Sequence, residues 1–553
     1  MRLLPLAAIT LLIGILTLNR LGASDVCGGS EAAMAVYVQE MIAQHQLLFP
    51  LDNCTIPMYK PPLYHWTATG LAALLHETAA TPFNLRLPSA VYAIGGAILT
   101  MALASVLLGP RGTILAGLIL CGSYQYISQA RIGLVDMTLT FYETLALYAF
   151  LFWLILGRAS SATAKGRAFA HYVFAAAMGL GVLAKGPVGA ILPGAAILLF
   201  LLIERDWPEL LALLKPGPLI LGGVIASSWY LACLAGGRYD FLHLQIGSEN
   251  FGRFFGSLGA MPPWYYVQPL LLNSLPLSLV VPIAIVTALL PWHVIQRSPA
   301  PTTAELAGEG ETTVIVSDES DRPASLAASA IQWDRGRFAS SAARFLAIFW
   351  VVTVIFFNLA AFKRRAYLLP LWPPSAFVLA WWITDHLMPR LSFRIGAILY
   401  RSAIAMCLLL AFANLLFIPA YELHGCGAPF SLASLFRWPS NGFAGESSND
   451  ADQRKSYRRS AAEVDRLTKP GAPLYSYGFQ DALEPLIFYL GRCAPPLRPP
   501  FSIPPDACVI APAPAANQLE RRAPGLAPLA NIAGYTPLVL FGSVSPNDTC
   551  LSR

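Results

Sequence analysis

Charge is what this sequence has least of. Asp, Glu, Lys and Arg make up 12% of its 553 residues, whereas a soluble protein carries roughly 25%. That is too little to cover the three or four water-soluble domains that the length would suggest at ~150 residues each. A net charge of +6 spread over so apolar a chain excludes a nucleic-acid-binding surface, and disordered and collagen-like readings fail on the same composition. The eight histidines form no close pair at metal-ligand spacing, His243 and Glu249 in one loop being a weak exception. Met-Gly-Leu-Gly-Val-Leu-Ala-Lys-Gly at 178–186 has glycines and a lysine but no Gly-Lys-Ser/Thr, and lies in an apolar run. It is not a nucleotide loop. No internal repeat is visible.

What the chain has is hydrocarbon: 56% of residues are apolar or aromatic, with a mean hydropathy of +0.56. A helix needs about 20 mostly apolar residues to cross a bilayer. Eleven segments qualify: 3–19, 86–108, 112–129, 136–157, 169–184, 187–203, 218–236, 266–291, 342–361, 366–384 and 400–419. The expected protein is therefore an α-helical polytopic membrane protein. The first segment has the look of a signal peptide, but with ten spans behind it a retained helix is the reading. Either way residues 20–80 go outside.

Lys and Arg favour cytoplasmic loops. With the N-terminus inside, Arg111, Arg158, Lys165, Arg167, Arg205, Lys215, Arg297, Arg322, Arg335, Arg337, Arg390 and Arg394 all fall inside. An odd number of spans then sends the C-terminal segment out. Six of the nine cysteines agree, since Cys27 and Cys54 share the first outer loop while Cys426, Cys493, Cys508 and Cys550 fall in the tail, where disulfides survive. Even counts suggest bridges within each segment, although four cysteines still allow three pairings. Cys121, Cys233 and Cys407 lie in spans as packing residues.

The expected organisation is a transmembrane domain over 1–420, with an outer first loop at 20–85 and a flexible inner loop at 298–340, followed by an extracytoplasmic α/β domain over 421–553. The inner loop, above all 298–330, is rich in Ala, Ser, Thr, Glu, Asp and Pro and lacks a core of its own. In the tail, 474–478 and 508–511 read as strands and 480–491 as an amphipathic helix. Trp264, Tyr265 and Tyr266 read as an interfacial aromatic belt.

The informative residues are charges in outer loops too short to need them. Lys60 sits in Tyr-Lys-Pro-Pro, Arg131 and Asp136 in Ala-Arg-Ile-Gly-Leu-Val-Asp, and Lys185 in Leu-Ala-Lys-Gly-Pro. Lys363, Arg364 and Arg365 precede Ala-Tyr-Leu-Leu-Pro, which contains Tyr367. Charges at membrane depth usually face a cavity or a partner, and cations on the outer side run against the insertion bias. Several at one level would suit an anionic head group such as a lipid phosphate. Each alone has a plainer reading, as a snorkelling side chain or a helix end. Asp136 has two readings, a helix cap or a carboxylate lining the cavity. Asp25, Glu31 and Glu40 in the first outer loop offer a second carboxylate for the same cleft. Glycosyl transfer needs such groups to take a proton from an acceptor hydroxyl or to bind it in place, and cations to receive the departing phosphate.

In this order the motifs resemble those of the membrane glycosyltransferases with the GT-C fold, among them the bacterial lipid A aminoarabinose transferases and their relatives of protein O-mannosyltransferase type. The resemblance runs through Ser-Glu-Ala-Ala-Met-Ala-Val-Tyr-Val-Gln-Glu-Met at 30–41, Lys-Pro-Pro-Leu-Tyr-His-Trp at 60–66, Arg131 with Asp136, Leu-Ala-Lys-Gly-Pro at 183–187, Phe-Gly-Arg-Phe at 251–254 before Pro-Pro-Trp-Tyr-Tyr, and Lys-Arg-Arg-Ala-Tyr-Leu-Leu-Pro at 363–370. It implies inverting transfer of a sugar from a polyprenyl-phosphate donor to a lipid, glycan or protein acceptor at the outer (periplasmic) face of the inner membrane. On that reading Glu31 or Asp25, with Asp136, are the catalytic carboxylates. Lys60, Arg131, Lys185, Lys363, Arg364, Arg365 and Tyr367 bind the donor phosphate. The lipid-linked sugar is a substrate, so no cofactor and no resident metal are called for, and nucleic acid is not a partner. The chain departs from the family at Ser30, where an Asp is usual, at Ala33 and Met34 in place of Arg and Tyr, and at Tyr59, where an acid often precedes the lysine. The amino-sugar substrate is therefore not carried over. Two alternatives stand beside this reading. One is a catalytically inactive homologue serving as a scaffold; the other is a transporter of lipid-linked sugars, whose cues would be paired discontinuous helices and symmetric halves.

Overall fold

The computed structural model describes residues 3–26, 29–158, 164–256, 259–272, 275–290, 324–424, 457–479, 483–498, 503–504, 506–533, 537–543 and 550–551. The chain opens with α1 (Leu3–Leu18), α2 (Gly29–Gln44) and a two-residue hairpin of β1 (Leu51–Asp52) and β2 (Ile56–Pro57). Then come α3 (Leu63–Leu74), α4 (Pro82–Leu107), α5 (Gly109–Gly122), α6 (Tyr124–Gln129), α7 (Val135–Arg158), α8 (Ala164–Lys185) and α9 (Val188–Glu204). Further apolar helices lie at Pro216–Ala235, Leu277–Leu289, Ala324–Leu359 and Phe393–His424. Among the described residues seven helices are long and apolar enough to cross a membrane, and three shorter apolar ones accompany them.

Local chemistry sets the boundaries. Thr81 caps α4 by accepting from Asn84 N–H, while the Asn84 side chain accepts from Thr81 N–H at 2.7 Å, a reciprocal pair that satisfies two otherwise orphaned donors. The segment expected to be one helix over 112–129 is broken at Ser123, whose extended backbone separates α5 from α6. The segment at 366–384 begins instead as a 3-10 turn, Arg365–Leu371, before the α-helix Trp372–Trp381. Of the expected inner loop, 324–340 is helical, continuous with the next apolar span as one helix, Ala324–Leu359. The remainder, 298–323, lies outside the described residues. Tyr265 and Tyr266 are buried and only Trp264 is exposed, so the expected aromatic belt is reduced to one residue, the other two packing into the helical core.

The C-terminal region folds into a four-stranded sheet in the order β3 (Leu474–Ser476), β4 (Cys508–Pro512), β6 (Leu538–Ser543) and β5 (Leu526–Ile532). Only the β3–β4 pair is parallel, with Leu474 opposite Cys508. Helix Leu483–Leu490 packs onto α2 and helix Arg458–Leu467 packs onto Leu483–Leu490 in turn, so that Val26, Ala35, Tyr37 and Met58 share one hydrophobic cluster with Val464, Leu486 and Ile510. The tail is thus anchored on the first loop. Asn53 clamps Ala494, donating to its carbonyl at 2.7 Å and accepting from its N–H at 2.6 Å.

The disulfides correct the expectation of bridges within each segment. Cys508 pairs with Cys550 inside the tail, but Cys54 pairs with Cys493 across a sequence separation of 439. The reason is the hairpin tip: Asn53 and Cys54 both take left-handed φ, 49° and 58°, which turns them toward the C-terminal domain. Cys27 and Cys426 lie outside the described residues. A disulfide contributes roughly 2–4 kcal/mol. Cys493→Ser is therefore expected to lower the thermal midpoint of the purified protein by several degrees and to leave Cys54 open to thiol labelling. A wild type in which Cys54 is labelled without reductant would contradict the pairing.

Candidate active site

Six residues of the first loop region and the interhelical turns converge on one cleft. Lys60 follows β2 and reaches Glu249, Nζ to Oε2 at 2.5 Å. Glu249 lies on a π-helical segment, His243–Gly252. Its other oxygen accepts from Arg253 at 2.9 Å, so one carboxylate holds two cations. Arg253 also donates to the Tyr367 hydroxyl at 3.3 Å. Asp136, in the first turn of α7, pairs with Lys185 at the last residue of α8, and the Lys185 ammonium lies 4.4 Å from the centroid of the Tyr367 ring. Gly186 makes this approach possible. Its φ is +96°, and a Cβ there would sit 2.6 Å from Gln245 Nε2, so only glycine lets the segment bearing Glu249 close on the end of α8.

All of these six but Asp136 line a cavity of about 280 Å³. Its polar end carries Lys60, Lys185, Glu249, Arg253 and Tyr367; its other walls are Val188, Ile191 and the phenylalanines 251, 254, 255, 356, 357 and 362. Burial pushes the Lys60 ammonium down to about 8, against the opposing pull of Glu249. Burial alone would raise Glu249, but Lys60 and Arg253 outweigh it and hold the carboxyl below its usual range.

Not every expected residue joins this cleft. Glu31 is buried in a different arrangement: Arg86 Nε and Nη2 donate to its two oxygens at 2.8 and 3.0 Å, and Gly133 N–H donates to Oε1 at 2.8 Å. Arg86 also grips the carbonyls of Leu21, Ser24 and Asp25. Glu31 thus fixes the first loop against α4, with three donors on its two oxygens. Asp25 pairs with Arg458 of the C-terminal domain at 3.5 Å. Arg131, 2% exposed, donates to the carbonyls of Leu16 and Thr17, which ends α1, and Lys363, 3% exposed, donates to Ala360 O and Met261 O. Both were expected on the phosphate; both instead satisfy carbonyls at helix ends. Arg365 enters through its backbone carbonyl, which accepts from Gln125 Nε2 at 2.7 Å. Arg364 stays near the cleft, donating to Ser30 Oγ at 2.9 Å.

Glu249 and Arg253 were not expected as phosphate-site residues. Their signal in the sequence is an acid and a base four residues apart, the spacing of a helical ion pair. With Lys60 and Arg253 on its two oxygens, Glu249 is not free to ligate a metal with His243. Glu40 lies near Cys54 and Cys493 at a metal-like distance, but those sulfurs are joined to each other.

The sequence profile of the dolichyl-phosphate-mannose-protein mannosyltransferase family matches residues 59–231. An Aquifex aeolicus protein of no assigned activity is 28% identical over 48% of this chain and 50% of its own length. The undecaprenyl phosphate-alpha-4-amino-4-deoxy-L-arabinose arabinosyl transferase of Edwardsiella ictaluri is 28% identical over 35% of this chain and 34% of its own. The chain thus spans a third to a half of these relatives. Among solved structures, ArnT from Cupriavidus metallidurans bound to undecaprenyl phosphate superposes over 98% of both chains, with a TM-score of 0.70 and 18% identity. The protein is a multi-span membrane protein with the GT-C fold and a small C-terminal sheet.

Proposed function

We propose that the protein transfers a sugar from a polyprenyl-phosphate donor to an acceptor at the outer face of the cell inner membrane, its C-terminal domain on that same side. The observation that carries this reading is the cavity, cationic at one end and walled by phenylalanines at the other. That division matches a molecule with an anionic head and an isoprenoid tail. The resemblance of the chain to undecaprenyl phosphate-dependent transferases supports the same donor class. The phosphate would take Lys60 and Arg253 from Glu249, with Tyr367 as a further hydroxyl partner. It would also draw Lys185 away from Asp136.

That exchange gives Asp136 its part. Released from Lys185, its carboxylate becomes the proton acceptor for an incoming hydroxyl. The acceptor oxygen bonds to the anomeric carbon as the bond from that carbon to the phosphate oxygen breaks. The proton passes to Asp136, and the polyprenyl phosphate leaves as a dianion stabilised by Lys60 and Arg253. Glu31, held by Arg86, supports the loop and takes no proton.

The depressed Lys60 value predicts a pH dependence. A lysine at about 8 is charged below that pH and loses its proton above it. The affinity for undecaprenyl phosphate is therefore expected to be full at pH 7 and to fall as pH rises through 8 to 9. Titrating the lipid into nanodisc-embedded protein at several pH values checks this; an affinity that is constant to pH 9.5 would remove Lys60 from the phosphate contact.

A further inference from the structure

Four cations meet around the cleft, Lys60, Lys185, Arg253 and Arg364, against two carboxylates, Glu249 and Asp136. Three of the cations have a carboxylate partner within 3 Å. Arg364 does not. Among the described residues its guanidinium is hydrogen-bonded only to the neutral Ser30 hydroxyl. It is only half-buried, yet it lies close enough to act electrostatically on both Asp136 and Tyr59, the neighbour of Lys60. Among the described residues no carboxylate lies within ion-pair distance of this partly desolvated guanidinium, and it presents a planar fork of donors suited to an oxyanion.

Its place distinguishes it from the phosphate clamp. The cavity is lined by Lys60, Lys185, Arg253 and Tyr367 but not by Arg364. Arg364 lies on the side of the first loop, at Ser30, the second residue of α2. The extended backbone at Arg364, φ −136° and ψ 146°, turns it out of the 3-10 turn that carries Tyr367. With the donor phosphate in the clamp and the tail among the phenylalanines, the sugar would lie beyond the polar end, where Arg364 is the cation that does not line the cavity.

We propose that Arg364 and Ser30 form a specificity subsite for an acidic substituent, a carboxylate, on the transferred sugar, so that the donor is a polyprenyl-phosphate-linked uronic acid and not a neutral or amino sugar. This rests on the polyprenyl-phosphate reading above and narrows its substrate class. Ser30 keeps the guanidinium oriented while leaving its charge for the substrate. An acid at position 30 would cancel that charge.

The test is binding to the full-length protein in nanodiscs of three probes: undecaprenyl phosphate, undecaprenyl-phosphoglucose and undecaprenyl-phosphoglucuronic acid. The wild type is expected to bind the glucuronic acid conjugate about tenfold or more tighter than the glucose conjugate, the size of one charge-assisted hydrogen-bonded contact. Arg364→Gln is expected to abolish that preference while changing undecaprenyl phosphate affinity by less than about threefold, and Ser30→Asp to reverse it. Equal affinity of the wild type for both conjugates would overturn the proposal. So would an Arg364→Gln protein that loses undecaprenyl phosphate itself as severely as Lys60→Met, which would make Arg364 part of the clamp. Failure of the wild type to bind undecaprenyl phosphate at all would overturn the donor reading and this inference with it, and is distinguishable from loss of sugar preference alone.

Discussion

Lys60→Met is expected to weaken undecaprenyl phosphate binding by roughly 30- to 1,000-fold, the range that follows from removing one partner of a buried charged contact. The effect is large for two reasons. The substitution removes a donor that the phosphate needs, and it leaves Glu249, whose Oε2 had faced Lys60 at 2.5 Å, with Arg253 as its one cation, which the incoming phosphate must then compete for. The second contribution can be isolated. Glu249→Gln removes the resident competitor for Lys60 and Arg253 and is expected to bind undecaprenyl phosphate more tightly than the wild type. Lys60→Met combined with Glu249→Gln should then recover part of the loss. Lipid titration of the three variants decides the matter; a Lys60→Met protein that binds within twofold of the wild type would end the assignment.

Arg86→Met is expected to cost roughly 3–5 kcal/mol of stability, because it strands the buried Glu31 carboxylate without its cation. The loss reaches further than one ion pair. Arg86 also holds the carbonyls of Leu21, Ser24 and Asp25, and Glu31 holds Gly133 N–H. The short turn between α6 and α7, which leads into Asp136 in the first turn of α7, is therefore tied to the first loop through one carboxylate. A Cβ at Gly133 would fall 2.7 Å from Leu85, which is how the backbone comes close enough to donate. Glu31→Gln keeps the shape and much of the hydrogen bonding. Its folded fraction should drop while turnover per folded molecule stays near that of the wild type. Thermal unfolding in detergent, with activity normalised to folded protein, separates the two roles. An Arg86→Met protein as stable as the wild type, or a stable Glu31→Gln protein without turnover, would return Glu31 to the catalytic position expected from the sequence.

The contrast between Lys60 and Arg131 shows how far a sequence can be read here. Both are cations at a depth where charge is costly, and both signalled a partner. For Lys60 and Lys185 the partners are carboxylates that come from distant segments, and a cavity opens beside them. For Arg131 and Lys363 the partners are the last carbonyls of neighbouring helices. Nothing in the local pattern separates these outcomes, because a helix end and a phosphate both ask for a donor. The apolar runs, by contrast, were legible as helices, although among the described residues seven are long enough to cross a membrane where eleven segments qualified on sequence. Their interruptions were not, since Ser123 breaks its helix through one extended backbone conformation. Cys54 carried a misleading signal. Its near neighbour in sequence was Cys27, but the left-handed tip of the hairpin aims it at Cys493. Glu249 lies on a π-helical segment that ends just before Arg253, where ordinary helical periodicity does not indicate which face is turned inward.

The central claim is transfer from a lipid-linked sugar, and mass spectrometry of membranes tests it most directly. Lipids and outer glycans would be profiled from cells carrying the wild-type gene, no gene, or an Asp136→Asn variant present at wild-type level. The account predicts that one product loses a single sugar mass in both the deletion and the variant, while the polyprenyl-phosphate sugar accumulates in both. Identical lipid and glycan profiles in all three strains would contradict it, and would mean that this fold and its cationic cavity serve something other than glycosyl transfer.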